Sequence, residues 1–235
     1  MRQFFVKEEL KCNDMYELDE NQAHHVKSVL RMNEDEPVRI VDANSQAFLG
    51  HIRYVDRKTF VYIDEEDASE ENNRKIVYGA AMIKKDKWEL LLQKAAELGA
   101  DVIVPLETRR TIIHLDDKEI KKKLERWNKI TLEACQQSNR TSLCEVVEPI
   151  KLKNIEKYKQ DINLVAYENE EGRKLRDYIS DGNILILAGP EGGFEKSEID
   201  YLNEIGFTCV SLGKRILRAE TAGMYALSVI DAYGD

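Results

Sequence analysis

The sequence predicts an α/β protein preceded by a smaller β-rich module, on three observations. From residue 75 onward, aliphatic runs alternate with amphipathic helical stretches, the pattern of a mostly parallel sheet covered on both faces. Residues 1 to about 70 instead hold short runs rich in Val, Ile, Phe and Tyr, separated by polar turns. Between the two regimes, the acidic DEEDASEENNR at 64–74 is nearly free of apolar side chains and reads as a linker. Two domains are therefore expected, 1–72 and 73–235.

In the first domain, RQFFV, PVRIVDA, AFLGHIRYV and TFVYIDEE are the expected strands of a small barrel. NQAHHVKSVLRM interrupts them with Ala23, Val26, Val29 and Leu30 at helical spacing, which packs one helix into the module. In the second domain the strands are KIVYGAAM, DVIVPL, INLVAYE, NILILAG and FTCVSLG. DKWELLLQKAAELG is a well-marked helix: Asp86 is placed to cap it, Trp88, Leu91, Leu92, Ala95 and Ala96 form its stripe, and Gly99 ends it. A longer helix carries Ile120, Leu124, Trp127, Thr131 and Ala134 on one face, and Lys121 to Lys123 on a polar face that reads as solvated. The last helix has Ala222, Tyr225, Ala226, Val229 and Ile230 on one stripe, with Met224 and Leu227 apolar on the other side. Such a helix is either central in its own domain or shared with a second subunit.

Composition excludes several classes. Hydrophobic residues at 43% and charged residues at 34% describe a soluble globular chain, and no apolar run approaches the ~20 residues of a membrane span. MRQFFVKEEL lacks the apolar core of a signal peptide, so the expected location is the cytoplasm. Cys12, Cys135, Cys144 and Cys209 are scattered, and His24, His25, His51 and His114 do not join them at metal-ligand spacing, so reduced cysteines and no metal are expected. The net charge of -9 argues against strong nonspecific nucleic-acid binding. Its source is the first 72 residues, which hold 9 Lys and Arg against 17 Asp and Glu.

ILILAGPEGGFEKSEID, at 184–200, runs from a buried-strand pattern through three glycines into an acidic helix start. Ligands of open α/β sheets bind beyond the carboxyl ends of the strands, which favours a site here. Glu191, Glu195 and Glu198 repel an anion, and neither phosphate-binding glycine pattern is present, so a neutral or cationic ligand suits the turn better. Taken alone, a plain helix entry explains it as well. A second strand, VSLGKRILRAETAGMY, again passes through a glycine into a loop, with Lys214, Arg215 and Arg218 within five residues. Two strands ending at Gly189 and Gly213 can stand side by side as two walls of one pocket.

GPEGGF and LGKRILRAETA, with QKAAELGADVIVPLETRR, EACQQSNR and HHVKSVLRMNEDEPVRIVDA, resemble the ribosomal RNA small subunit methyltransferase E family of the SPOUT superfamily. The resemblance covers nearly the whole chain. It departs at TSLCEV, where Cys144 stands in place of a proline common in the family. The resemblance implies an N-terminal PUA-like RNA-binding barrel, a C-terminal α/β domain with a deep trefoil knot, a homodimer, and S-adenosylmethionine as methyl donor. The implied reaction is methylation of uridine N3 in 16S ribosomal RNA of the small ribosomal subunit. Ribose 2'-hydroxyl or transfer RNA methylation, and a nonenzymatic RNA-binding or assembly role, are the alternatives.

The family's donor-binding segments fall on Leu187, Ala188, Gly189, Pro190, Glu191, Gly192 and Gly193, on Ser211, Leu212, Gly213, Ile216, Leu217 and Arg218, and on Thr221 and Ala222. Tyr167 and Glu168, beyond the strand INLVAY, complete the expected donor site, with an exposed helix-entry carboxylate as the alternative for Glu168. Uridine N3 is a poor nucleophile until it loses its proton, so the site needs a base or fixed positive charge. Arg218 is the candidate for stabilising the anion, and Glu191 the candidate base or partner of the donor's amine. RNA contact is expected from His24, His25 and Arg31, with one histidine packed inward, and from Arg109, Arg110, Arg140 and Arg215. Surface ion pairing is the alternative for Arg109.

Overall fold

The computed structural model describes residues 1–68 and 74–234. By internal contacts the chain divides into two compact units, Met1–Glu71 with Gln136–Ser142, and Asn72–Cys135 with Leu143–Asp235.

The first unit holds strands β1 (Arg2–Phe5), β2 (Met15–Glu17), β3 (Pro37–Val41), β4 (Ala47–Val55) and β5 (Lys58–Asp67). Their order in the sheet is β1-β3-β4-β5-β2, with β1 parallel to β3 and every other pairing antiparallel. Asp56 and Arg57, both with positive φ, make the two-residue turn that matches the strand twist of the β4–β5 hairpin. Phe4, Ile40, Phe48, Ile52, Val61 and Ile63 build the core beneath the sheet. The acidic run expected as linker is in part strand: β5 continues to Asp67 because its backbone pairs with Ala47–Leu49, and Asp67 accepts Nε of the buried Arg39 at 2.6 Å. The remainder of that run, 69–73, lies outside the described residues, as does the expected boundary at 72/73.

Helix α1 (Glu20–His24) opens on a capping box between Asp19 and Gln22, then widens into a π-helical turn at His25–Leu30. Arg31, in the left-handed region at φ 52°, ends it. The widened turn buries Val26 but leaves Val29 59% exposed, so the expected apolar stripe is only partly realised.

The second unit holds β6 (Ile76–Ala81), α2 (Lys85–Glu97), β7 (Val102–Glu107), α3 (Asp117–Gln137, whose last two residues count with the first unit), β8 (Glu145–Val146), β9 (Ile150–Lys151), β10 (Ile162–Ala166), β11 (Ile184–Ala188), α4 (Lys196–Glu204), β12 (Thr208–Val210) and α5 (Ala219–Ala232). The sheet order is β12-β10-β11-β6-β7-β8, with β9 also pairing β7, and every pairing is parallel. Every residue of β6 and β11 is buried, as continuous aliphatic runs require in a sheet covered on both faces. Lys84, not Asp86, occupies the N-cap position of α2, and Asp86 sits in the first turn where it complements the helix dipole. Gly99, at φ 89°, ends the helix as its sequence position suggests. Trp88 meets Trp127 of α3 edge-on, with ring centroids 5.5 Å apart. Helix α5 buries Gly223, Ala226, Leu227 and Ile230, a stripe rotated from the expected one, and leaves Tyr225 outside. No helix among the described residues is long and apolar enough to cross a membrane.

Candidate active site

The loops that leave β10, β11 and β12 at their carboxyl ends, together with the start of α5, line a cavity of about 600 Å³. The two glycine turns do form opposite walls, but they are not side by side. Strand β10 lies between β11 and β12, and its extension Ala166, Tyr167 and Glu168 contributes lining between them.

The first wall is the turn from β11 into α4. Gly193 is at φ 68°, and a Cβ there would collide with the Glu168 carboxylate, so glycine serves both the turn and that close approach. The Gly193 N–H donates to the Pro190 carbonyl at 2.9 Å, and Phe194 folds beneath Gly189 into the core. Glu195 and Glu198 form a capping box on α4, so these two acids complete the helix start. Glu198 is buried, with Oε1 accepting the Arg109 N–H and Oε2 the Glu195 N–H, both at 2.9 Å. Arg110 Nη1 donates to the Gly192 carbonyl at 2.6 Å, and Arg109 Nη1 lies 3.3 Å from Glu195. The two arginines therefore clamp the glycine turn from the end of β7. Paired hydroxyls of Thr108 and Thr111, both buried, hold the arginine turn in shape.

The second wall is the segment from β12 to α5. Ser211 bridges to Lys174, Gly213 takes φ 116°, and Arg218 stands as N-cap of α5. Lys214, Arg215, Ile216 and Arg218 line the cavity and are exposed. Glu191 lines the first wall and is also exposed.

Of the residues expected to bind the donor, Leu187 and Thr221 stay out of the lining: Leu187 packs in the sheet core over Gly79, and Thr221 sits on the exposed side of α5. The rest, from Tyr167 and Glu168 to Leu217 and Ala222, come together. Lys87, from the first turn of α2, is a lining residue that sequence reasoning missed. Its Nζ lies 3.1 Å from Glu220 Oε1, a pairing across distant segments that leaves no local signature.

The residues expected to touch RNA are distributed differently. In the first unit His24, His25 and Arg31 are all exposed around the π-helical turn, so neither histidine packs inward. Arg140 is buried, its Nη2 donating to Ser142 Oγ at 2.7 Å while its carbonyl accepts Gln3 Nε2 at 2.6 Å. Beside it the buried Arg39 donates to Gln3 Oε1 and to the Asn139 carbonyl. The QSNR segment is thus bound by side chains of β1 and β3 in a polar interior. Cys135, Cys144 and Cys209 are buried and Cys12 is exposed, and among the described residues no group of His, Cys, Asp and Glu has a metal-holding arrangement. Burial pushes the Cys209 thiol up.

An RNA methyltransferase domain model matches residues 70–231, and an RNA methyltransferase PUA domain model matches 18–63. The ribosomal RNA small subunit methyltransferase E of Bacillus subtilis (strain 168) is 32% identical, over 98% of this chain and 96% of its own. Among solved structures, the corresponding enzyme of Neisseria gonorrhoeae, bound to S-adenosyl methionine, superposes with a TM-score of 0.89 at 29% identity, covering 99% of this chain and 97% of that one. A Legionella pneumophila protein in complex with the same cofactor gives 0.85 at 32% identity, covering 98% and 96%. Sequence and architecture agree over nearly the full length, and the chain belongs to the ribosomal RNA small subunit methyltransferase E family.

Proposed function

We propose that this chain transfers a methyl group from S-adenosylmethionine to N3 of a uridine in 16S ribosomal RNA of the small ribosomal subunit, in the cytoplasm and as a homodimer. The reading includes a PUA-like barrel over 1–72 that contacts RNA and a trefoil-knotted α/β domain over 73–235. The observation that carries it is the convergence of both glycine walls on one cavity in a chain whose relatives bind this donor.

The residues fit the donor. At about 600 Å³ the cavity lies in the size range of cofactor sites. Its glycines allow close backbone approach, and Glu168 and Glu191 supply negative charge for a ligand carrying an ammonium and a sulfonium. Phosphate has no comparable partner on the Glu-bearing wall. When bound, the donor supplies a methyl carbon activated by positively charged sulfur. The walls hold donor and acceptor in line, Glu191 takes the N3 proton or pairs with the donor's ammonium, and Arg218 stabilises the resulting base anion. His24, His25 and Arg31 offer exposed hydrogen-bonding side chains to RNA, and Arg215 offers a further one at the cavity mouth. No metal enters this scheme.

The test is to incubate the protein with labelled S-adenosylmethionine and either small ribosomal subunits or naked 16S RNA, then map the modified nucleotide. Label on uridine N3 is expected. Label on ribose, another base or transfer RNA refutes the substrate assignment, and absence of donor binding by calorimetry turns the reading to a nonenzymatic RNA-binding protein. Arg218→Ala is expected to keep donor affinity and lose about 10²-fold or more in turnover.

A further inference from the structure

Lys87 reaches the cavity from the first turn of α2, and Glu220 meets it from the first turn of α5. The lysine side chain is 36% exposed and the glutamate side chain 12% exposed, so Glu220 holds Lys87 from the protein side. Glu220 Oε2 is buried and has no hydrogen-bond partner among the described residues. Burial pushes the Glu220 carboxyl up, but its own backbone N–H, Lys87 and Arg218 together hold it below the ordinary glutamate range. It is therefore ionised at neutral pH and lies in the field of two of the cavity's cations.

Burying a carboxylate carries a desolvation cost, and a recessed ion pair is weak evidence for stability. What such a pair provides is a charge fixed in place before the ligand arrives. Lys214, Arg215 and Arg218 are exposed and belong to the segment leading into α5, so engaging an anion costs them side-chain entropy. Lys87 rises from a helix and is already held.

We infer that Lys87, with Glu220 as its positioning residue, is a second catalytic cation that faces the acceptor base and stabilises the uridine anion. The inference rests on the proposed N3 methylation. In that step the N3 proton leaves to a carboxylate such as Glu191, and the freed electron pair on N3 forms the bond to the methyl carbon. The carbon–sulfur bond breaks, and its electron pair returns to sulfur, which becomes neutral. Negative charge exists on the uracil ring only between loss of the proton and attack, and a fixed ammonium lowers the energy of that state.

The test compares wild type, Lys87→Met, Lys87→Arg and Glu220→Gln for turnover against pH, donor Kd by calorimetry and thermal midpoint. Lys87→Met is expected to lose about 10²-fold in turnover at neutral pH with donor Kd unchanged. The deficit should shrink as pH rises, because the imide then ionises without help. Lys87→Arg should restore part of the rate, and Glu220→Gln should show a smaller loss with the same alkaline recovery. Wild-type turnover in Lys87→Met overturns the inference. So does a loss that tracks donor affinity, or a loss independent of pH in a variant with an unchanged midpoint. Failure of the underlying reading is seen separately, as a wild-type protein whose label lands on no uridine N3.

Discussion

Glu198 is 7% exposed, yet both of its carboxylate oxygens are occupied by backbone N–H groups from two different segments, the arginine turn after β7 and the start of α4. By sequence it is one of three acids that repel an anion; in place, it closes the clamp that Arg110 completes on the Gly192 carbonyl. A buried carboxylate is acceptable here because its desolvation is offset by charge-assisted bonds to fixed donors. Glu198→Ala would strip both part-buried N–H donors of their acceptor. The expected cost is about 2–3 kcal/mol, read as a lower urea midpoint at unchanged slope. Glu198→Gln keeps one carbonyl acceptor and should lose less. An alanine variant with the wild-type midpoint would mean that water satisfies both groups and that the clamp is not what holds the turn.

At the scale of elements, helix α5 approaches the sheet unusually closely at Gly223. A Cβ there would meet the Tyr78 hydroxyl of β6 and lie 3.1 Å from Leu91 Cδ1 of α2. Tyr78 is fully buried and cannot swing into solvent, so Gly223→Ala should cost about 1–3 kcal/mol by overpacking despite alanine's better helix propensity. A thermal midpoint equal to or above wild type would show that the helix can move outward freely. The sequence marks this glycine only as an oddity in an apolar helix. The long strands were readable because buried parallel strands must be aliphatic throughout, and the glycine walls because left-handed turns need glycine. β2 and the two-residue β8 and β9 were not readable: they are too short to establish a period, and the residues alone do not specify their neighbours. The π-helical turn was missed for a related reason, since Ala23, Val26, Val29 and Leu30 fit an α-helical spacing that the extra residue per turn disrupts, sending Val29 outward. At the site, the glycines and loop cations were legible, whereas Lys87 with Glu220, and Arg110 with Gly192, depend on partners brought together only by the fold.

For the molecule as a whole, the net charge of -9 limits what surface attraction can do, so recognition of RNA must be local and nonspecific affinity weak. That places weight on how many subunits present their cationic groups at once. Helices α2 and α5 pack against each other, and Leu90 of α2, Tyr225 of α5 and the adjoining Tyr233 remain exposed. Large apolar groups left on two neighbouring helices favour burial against a second copy, and a two-fold interface presents each such residue twice. Sedimentation equilibrium is expected to give a species of twice the 27.2 kDa chain mass. The double variant Leu90→Glu, Tyr225→Glu should sediment as the single chain. Four altered side chains per symmetric interface, at about 1.5 kcal/mol each, weaken association by on the order of 10⁴-fold. Both positions are exposed within the chain, so the variant's unfolding free energy, at a concentration where the wild type is also monomeric, should stay within about 1 kcal/mol of the wild-type value. If wild type sediments as one chain, or if the double variant remains double mass, α2 and α5 are not the interface and their exposed side chains must serve another surface.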